Sequence, residues 1–156
     1  MRIKICNFRL NDINRIYSLS KMLAHFFPDT ESCTIGIYEL LLNAVEHGNL
    51  GIGYEEKTDL IRSGLWHAEI MRRLALPEYA DKELNIIIQI NEQECRLSIS
   101  DQGNGFPWRD FIRRAGEDHR PNGRGLYIAM QSSFDDLFFN PAGNEVTCVA
   151  QYNNAQ

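Results

Sequence analysis

Apolar residues spaced three and four positions apart predict successive helices in the first half of the chain. The first such segment covers residues 13–27 and is stopped by Pro28. The second begins at a cap, Ser32 or Thr34, and extends to about His47, where several glycines follow. Caps and glycines of this kind mark the two ends of a helix.

A third helical segment covers 55–76, where Gly64 can divide it and Pro77 ends it. The pattern then changes to a period of two over 84–90 and 94–101, with a short polar turn between these segments. This change of period predicts a β-hairpin whose second strand has one buried face.

The remaining segments complete the predicted order of helices, hairpin, helix and hairpin. Residues 3–8 predict a short strand, and 107–122 predict a polar, arginine-rich loop. A helix over 126–133 is followed by strands over 137–139 and 145–152. This order predicts an α/β two-layer sandwich, with a mixed, mostly antiparallel sheet covered by helices on one face.

The second helix combines apolar residues with four polar ones at helical spacing. Glu39, Asn43, Glu46 and His47 fall on one side of it. A buried carboxylate or amide is costly unless it is bound. The stripe therefore predicts a site for a metal ion or polar ligand, with Glu46 as a surface or supporting residue rather than a ligand.

Bulk composition narrows the class of protein. The 156 residues fit one domain, and the net charge of −5 argues against a nucleic-acid-binding surface. The four cysteines lack metal-ligand spacing and are expected to be small buried residues in a reducing compartment. We find neither a signal peptide nor a membrane span, which predicts a cytoplasmic protein.

Two glycine-rich turns border the polar loop. The first, Asp101-x-Gly103-x-Gly105, follows a strand, and its glycines allow a ligand to approach the main chain closely. The second, Gly123-x-Gly125, precedes a helix, whose free N–H groups favour a phosphate. Each turn is a weak signal alone.

In combination with the second helix, the two turns form a more specific pattern. Over residues 32–152, the chain resembles the nucleotide site of the GHKL ATPases in the order of three motifs. These are Glu39-x-x-x-Asn43, Asp101-x-Gly103-x-Gly105 and Gly123-x-Gly125. That superfamily includes gyrase, heat-shock chaperone ATPases, histidine kinases and mismatch-repair ATPases. The resemblance implies one Bergerat-fold ATPase domain over 1–156. The run that ends in His47 and Gly48 resembles the anti-sigma-factor serine/threonine kinase branch.

The resemblance implies roles for individual residues, with ATP and Mg²⁺ as cofactors. Asn43 would ligate a Mg²⁺ that bridges the phosphates, and Glu39 would be the general base. Asp101 would accept a hydrogen bond from the adenine amino group, in a pocket shaped by Gly103 and Gly105. Mg²⁺ prefers oxygen ligands and takes several of them from phosphate and water, which suits a single amide.

Further roles follow from the same resemblance. Thr147 would help to hold Asp101 or a bridging water, and His47 either belongs to the nucleotide site or only caps the helix. The phosphates would be contacted by Gly123, Arg124, Gly125 and Leu126. Segment 106–122 matches an ATP lid, and either a solvated loop or phosphate contacts would explain its basic residues. These are Arg109, Arg113, Arg114, His119 and Arg120.

Segment 50–81 is longer than its counterpart in the compact anti-sigma kinases and resembles the variant found with PP2C-type phosphatases. Its apolar side chains have two interpretations: they form a face for a partner or a dimer, or they cover the second helix, which carries Glu39 and Asn43 and is called the site helix below. These side chains are Leu60, Leu65, Trp66 and Ile70.

Two functions therefore remain open. The first is an ATP-dependent serine/threonine kinase that acts in partner switching and phosphorylates a STAS-domain anti-sigma antagonist. The second is a non-catalytic nucleotide-binding module that controls a sigma factor or PP2C-type phosphatase. Members of this branch often dimerise, which leaves a homodimer open.

Overall fold

The computed structural model describes residues 2–9, 13–117, 127, 129, 131 and 133–152. Within these, the side chains of 6–9, 111 and 114–117 are not described. Several predicted phosphate and lid residues therefore lie outside the described part; they are His119, Arg120, Gly123, Arg124, Gly125 and Leu126.

A five-stranded sheet forms one layer, in the order β1-β2-β3-β5-β4. Each described pair of neighbouring strands is antiparallel. The strands are β1 (Arg2–Arg9), β2 (Glu83–Ile90), β3 (Glu94–Ser100), β4 (Asp136–Phe139) and β5 (Glu145–Gln151). Both predicted hairpins are present, and the α/β fold expected from the sequence is confirmed.

Helices form the second layer. They are α1 (Arg15–Ala24), α2 (Thr30–Asn43), a π-helix (Ala44–Asn49), α3 (Tyr54–Arg62), α4 (Trp66–Leu74), α5 (Pro77–Ala80) and α6 (Trp108–Glu117). Tyr127, Ala129 and Gln131 are also helical. None of the described helices has the length and apolar composition needed to cross a membrane.

The core lies between the helices and one face of the sheet. Cys95, Leu97 and Ile99 of β3 face the helices and are buried. Val146 and Cys148 of β5 lie opposite Ile99 and Leu97 and therefore share this face. The other face carries mainly polar residues of these strands.

The site helix differs from its prediction at both ends. Asp29, not Ser32 or Thr34, is the N-cap of α2, because its Oδ1 accepts a hydrogen bond from the Ser32 N–H at 3.1 Å. At Asn43 the α-helix becomes a π-helix, which continues to Asn49. Single π-turns within helices are frequent at functional sites.

The predicted loop 107–122 was wrong in its first part, because α6 begins at Trp108. Trp108 and Ile112 are four residues apart, and Ile112 packs against the core. The arginines between them make this short apolar repeat hard to recognise.

Segment 50–81 divides at Gly64, whose φ of 72° ends α3. Ile70 is fully buried, while Leu60 and Trp66 pack against the core. Leu65 is 56% exposed. For Leu60, Trp66 and Ile70 the structure therefore supports the interpretation that they cover the site helix and not a partner face.

Candidate functional site

A cavity of about 880 Å³ lies between the end of the site helix, the loop after β3 and the β4–β5 turn. Its walls bring together five of the predicted residues, which are Asn43, His47, Asp101, Gly103 and Gly105. These come from segments more than fifty residues apart in the chain, so the two motifs form one site.

Asp101 is held against the site helix. Its Oδ1 accepts a hydrogen bond from the Gly103 N–H at 2.8 Å. A Cβ at Gly48 would lie 2.2 Å from the Asp101 Cγ, so only glycine allows this approach. Burial raises the pKa of the Asp101 carboxyl, against the opposing effects of the Gly103 N–H and Lys82. Because burial disfavours the charged form of this carboxylate, a ligand that donates hydrogen bonds to it would be favoured.

Asn49 joins the two motifs, a role that the sequence alone did not reveal. It is buried, its Oδ1 accepts from the Gln102 N–H at 2.8 Å, and its Nδ2 donates to the Glu83 carbonyl at 3.2 Å. The π-helix end is thereby fastened to the loop that carries Asp101. In the sequence, the only indication of this role was that Asn49 directly follows Gly48 of the helix motif.

The β4–β5 turn supports the same loop from the other side. The Asp101 N–H donates to the Asn144 carbonyl at 3.0 Å, and the Asn144 Nδ2 donates to the Gly103 carbonyl at 3.2 Å. Gly105 has a φ of 83°, and a Cβ there would lie 1.8 Å from the Ala142 carbonyl oxygen. Glycine is therefore needed at residue 105 for both reasons.

Thr147 lies on the wrong face of the sheet for its predicted role. Its Oγ1 is 2.8 Å from the Ser98 Oγ, on the face opposite to the cavity. Val146, its neighbour in β5, lines the cavity instead. Successive side chains of a strand point to opposite faces, so an assignment that is one residue off places the side chain outside the site.

His47 lines the cavity, and its ring orientation is set by the backbone. Its Nδ1 donates to the Ile52 carbonyl, which leaves Nε2 as the acceptor of the neutral ring. Burial lowers the pKa of His47, although Glu46 and the Ile52 carbonyl act in the opposite direction. It is therefore part of the site wall, beyond any role at the helix end.

Comparison with known families agrees with this geometry. Residues 21–150 match the model of the histidine kinase-like ATPase domain, well over half of the chain. The chain belongs to the histidine kinase-like ATPase family. A search of the curated proteins found no match. Family membership implies that the chain binds ATP.

Glu39 of this ATPase domain lies next to the cavity. The described residues that line the cavity include Asn43, one turn later, but not Glu39. Burial and Glu46 raise the pKa of Glu39, while Lys57 opposes them; burial is the largest effect.

Glu46 is fully buried, so the surface alternative for it was wrong. Lys57 of α3 donates to its Oε2 at 2.7 Å, and the Trp66 Nε1 of α4 donates to its Oε1. Both partners come from segment 50–81. The carboxylate therefore supports the site by fastening this segment to the π-helix.

Asn43 lies on the cavity wall, half-buried, with an amide oxygen that suits Mg²⁺. Within the described residues, no group of three His, Cys, Asp or Glu side chains could hold a metal. A single protein oxygen suits Mg²⁺ when phosphates and water complete its coordination. Among the described residues, the donor set therefore fits a Mg²⁺ that is bound together with a nucleotide.

Two of the predicted lid arginines are described, and both contact other residues of α6. The Arg109 guanidinium lies 4.3 Å from the Trp108 ring centroid, and Arg113 pairs with Asp110 at 3.3 Å. Arg109 and Arg113 are exposed, as a solvated lid surface would be. The phosphate-contact interpretation stays a prediction.

Proposed function

We propose that the chain is an ATP-dependent serine/threonine kinase that acts in partner switching. The observation that carries the proposal is the cavity that unites Asn43 with Asp101, while Glu39 lies one helical turn from Asn43 on the same helix. In such a site the adenine of a nucleotide would contact Asp101, and its phosphates would lie near Asn43.

Asp101 would accept a hydrogen bond from the adenine amino group. Guanine presents a carbonyl at the corresponding position, which an ionised carboxylate repels. Asn43 would hold Mg²⁺, which supplies charge neutralisation for the phosphates during transfer.

Glu39 would act as the general base, and its position suits this role. It is one turn from Asn43 on one side and one turn from Ile35, which is 56% exposed, on the other. Glu39 itself is half-buried, and in the proposed reaction the protein hydroxyl approaches on this side of α2. A raised pKa makes a carboxylate a stronger base than an ordinary glutamate.

The proposed step balances without any other reactant. The serine or threonine oxygen bonds to the γ-phosphorus as the bond to the bridging oxygen breaks. Glu39 takes the hydroxyl proton, and ADP is the leaving group. A phosphorylated STAS-domain antagonist and ADP are the products.

The second candidate is a non-catalytic nucleotide-binding module that controls a sigma factor or a PP2C-type phosphatase. It is favoured by the position of Glu39 outside the cavity lining. The anchoring of α3 and α4 on Glu46 also favours it, since this anchor links the site to a segment in which Ile61 and Leu65 are exposed. A cytoplasmic location, and a homodimer as one form of assembly, belong to both proposals.

One experiment separates the two functions. The full chain is incubated with γ-labelled ATP, Mg²⁺ and a STAS-domain protein encoded beside its gene. Glu39→Gln removes the base but keeps the shape of the side chain. Glu31→Gln, in the exposed first turn of the same helix, is the matched control.

For a kinase, label passes to a serine or threonine of the STAS protein in the wild type and in Glu31→Gln. In Glu39→Gln, transfer falls by about a hundredfold or more while ATP affinity is kept, because a general base contributes about 10²–10⁴-fold. ATP binding without any transfer in the wild type would instead establish the module. Transfer that survives Glu39→Gln would remove Glu39 from the mechanism.

A further inference from the structure

The first strand is an exposed edge of the sheet. β1 pairs with β2 on one side, and no described strand pairs with its other side. The edge is eight residues long, which is longer than the four-residue strand β4 at the opposite end of the sheet. Unpaired backbone N–H and C=O groups along such an edge are a template for another strand.

The two faces of this edge differ in character. Ile3 and Ile5 lie on the face of the sheet that points away from the helices, and they are 49% and 66% exposed. Arg2 and Lys4 alternate with them, are exposed, and lie on the helix side, where the Lys4 Nζ is 5.0 Å from the Phe26 ring centroid. An added strand would therefore meet apolar side chains on one face and cations on the other.

The charge of β1 is opposite to that of the chain. The strand contains two arginines, one lysine and no acidic residue, whereas the whole chain has a net charge of −5. A second copy of β1 would add three more cations to the same edge, and like charges across a strand pair are destabilising. An acidic strand would instead neutralise them.

We infer that the outer edge of β1 binds an extended segment of a partner protein in which apolar and acidic residues alternate. The segment adds a sixth strand, with its apolar side chains beside Ile3 and Ile5 and its carboxylates beside Arg2 and Lys4. Backbone hydrogen bonds supply affinity and the alternating side chains supply specificity, as in other cases of strand addition. This site is separate from the ATP cavity and does not depend on the proposed kinase activity.

The test measures binding of labelled peptides to the full chain by fluorescence anisotropy. The probe alternates valine and glutamate and is as long as β1. One control peptide replaces each glutamate with lysine, and another keeps the composition but places the valines and glutamates in two blocks. A third has N-methyl groups on alternate residues, which removes the donors that a strand pair needs.

The expected result is saturable binding of the alternating acidic peptide and at least tenfold weaker binding of all three controls. Lys4→Glu should weaken binding of the acidic peptide about tenfold and strengthen that of the lysine peptide. Ile5→Thr should weaken binding while keeping a residue that favours strands. Lys21→Glu, the same charge change on the exposed surface of α1, should leave binding unchanged.

Three results would overturn the inference. Equal binding of the N-methylated peptide would exclude strand addition. A lack of preference for acidic over basic peptides would exclude the proposed charge recognition. Sedimentation that shows a dimer of the wild type, lost in Ile5→Lys, would show that a second copy covers this edge.

Discussion

Gly48 of the site helix lies against the carboxyl group of Asp101, so closely that a Cβ at residue 48 would be 2.2 Å from the Asp101 Cγ. The two residues are 53 positions apart and belong to different sequence motifs. Their contact fixes Asp101, for which we propose adenine recognition, against the helix that carries Asn43. The geometry of the cavity therefore depends on the absence of a side chain at residue 48.

Gly48→Ala should disrupt this contact. The added methyl group must displace Asp101, and overpacking of this kind costs about 1–3 kcal/mol. We expect a lower free energy of unfolding in urea and a large loss of ATP affinity by calorimetry. Gly53→Ala is the stability control, because Gly53 has a φ of −71° and nothing within 4 Å of its Cβ position. Equal losses of unfolding free energy in the two variants would contradict the prediction.

Asp101→Asn should separate stability from binding. Burial raises the pKa of folded Asp101 above the unfolded value of about 3.9. As the pH rises from the unfolded to the folded pKa, ionisation of Asp101 therefore lowers the free energy of unfolding. At neutral pH the variant without ligand should be at least as stable as the wild type. ATP at a hundred times its dissociation constant stabilises the wild type by about 2.7 kcal/mol, and the variant should lose most of this gain.

Thermal unfolding with and without Mg-ATP measures both effects. An unchanged ligand-induced shift in Asp101→Asn would show that adenine is recognised elsewhere.

His47 should make stability depend on pH. Its folded pKa lies below the unfolded value of about 6.5, so the unfolded chain takes up the proton first as the pH falls. Stability should therefore decrease below about pH 6.5, by up to about 1.4 kcal/mol per pH unit, until the folded pKa is reached. Urea unfolding from pH 7.5 to 5 should show this decrease in the wild type and less of it in His47→Gln. His67→Gln, at an exposed position of α4, should follow the wild type.

Removing one partner of the Lys57–Glu46 ion pair should lower the free energy of unfolding more than removing both charges. Lys57→Met leaves a fully buried carboxylate without its cation, which should cost about 3 kcal/mol. Adding Glu46→Gln removes the charge and should restore most of that loss. Urea unfolding of the two variants measures the recovery.

Arg62→Met, also on α3, is the matched control. Its ion pair with Asp59 spans 4.0 Å, and both side chains are more than three-quarters exposed. Exposed pairs contribute little, so this variant should unfold like the wild type. No recovery in the double variant would show that Lys57 acts through packing and not through charge.

Thr147→Val should leave ATP affinity unchanged, because the Thr147 side chain lies on the face opposite to the cavity. The lost hydrogen bond to Ser98 should cost about 1 kcal/mol of stability. Val146→Phe, one residue earlier, extends into the cavity and should weaken ATP binding. Calorimetric titration of both variants checks the assignment of faces, and a large loss of affinity in Thr147→Val would contradict it.

The parts of the site that lie within one element were predictable from the chain. The alternation of Cys95, Leu97 and Ile99 identified the buried face of β3, and the spacing of Glu39 and Asn43 placed them on one side of a helix. Such patterns are local, because the periods of helices and strands decide which side chains share a face. The glycine motif after β3 was also recognisable, since its residue types match the turn that it forms.

The sequence by itself determined the order of the strands and the buried face of β3, and it predicted the residue types of a nucleotide site. Only the tertiary structure decided that Glu46 is buried between Lys57 and Trp66, that Asn49 fastens the loop of Asp101, and that Thr147 faces away from the cavity. These contacts join segments brought together by folding, and side-chain partners at long range leave no periodic signal in the chain. The face of Thr147 depends on a strand register of single-residue precision, which the pairing of β3 with β5 sets.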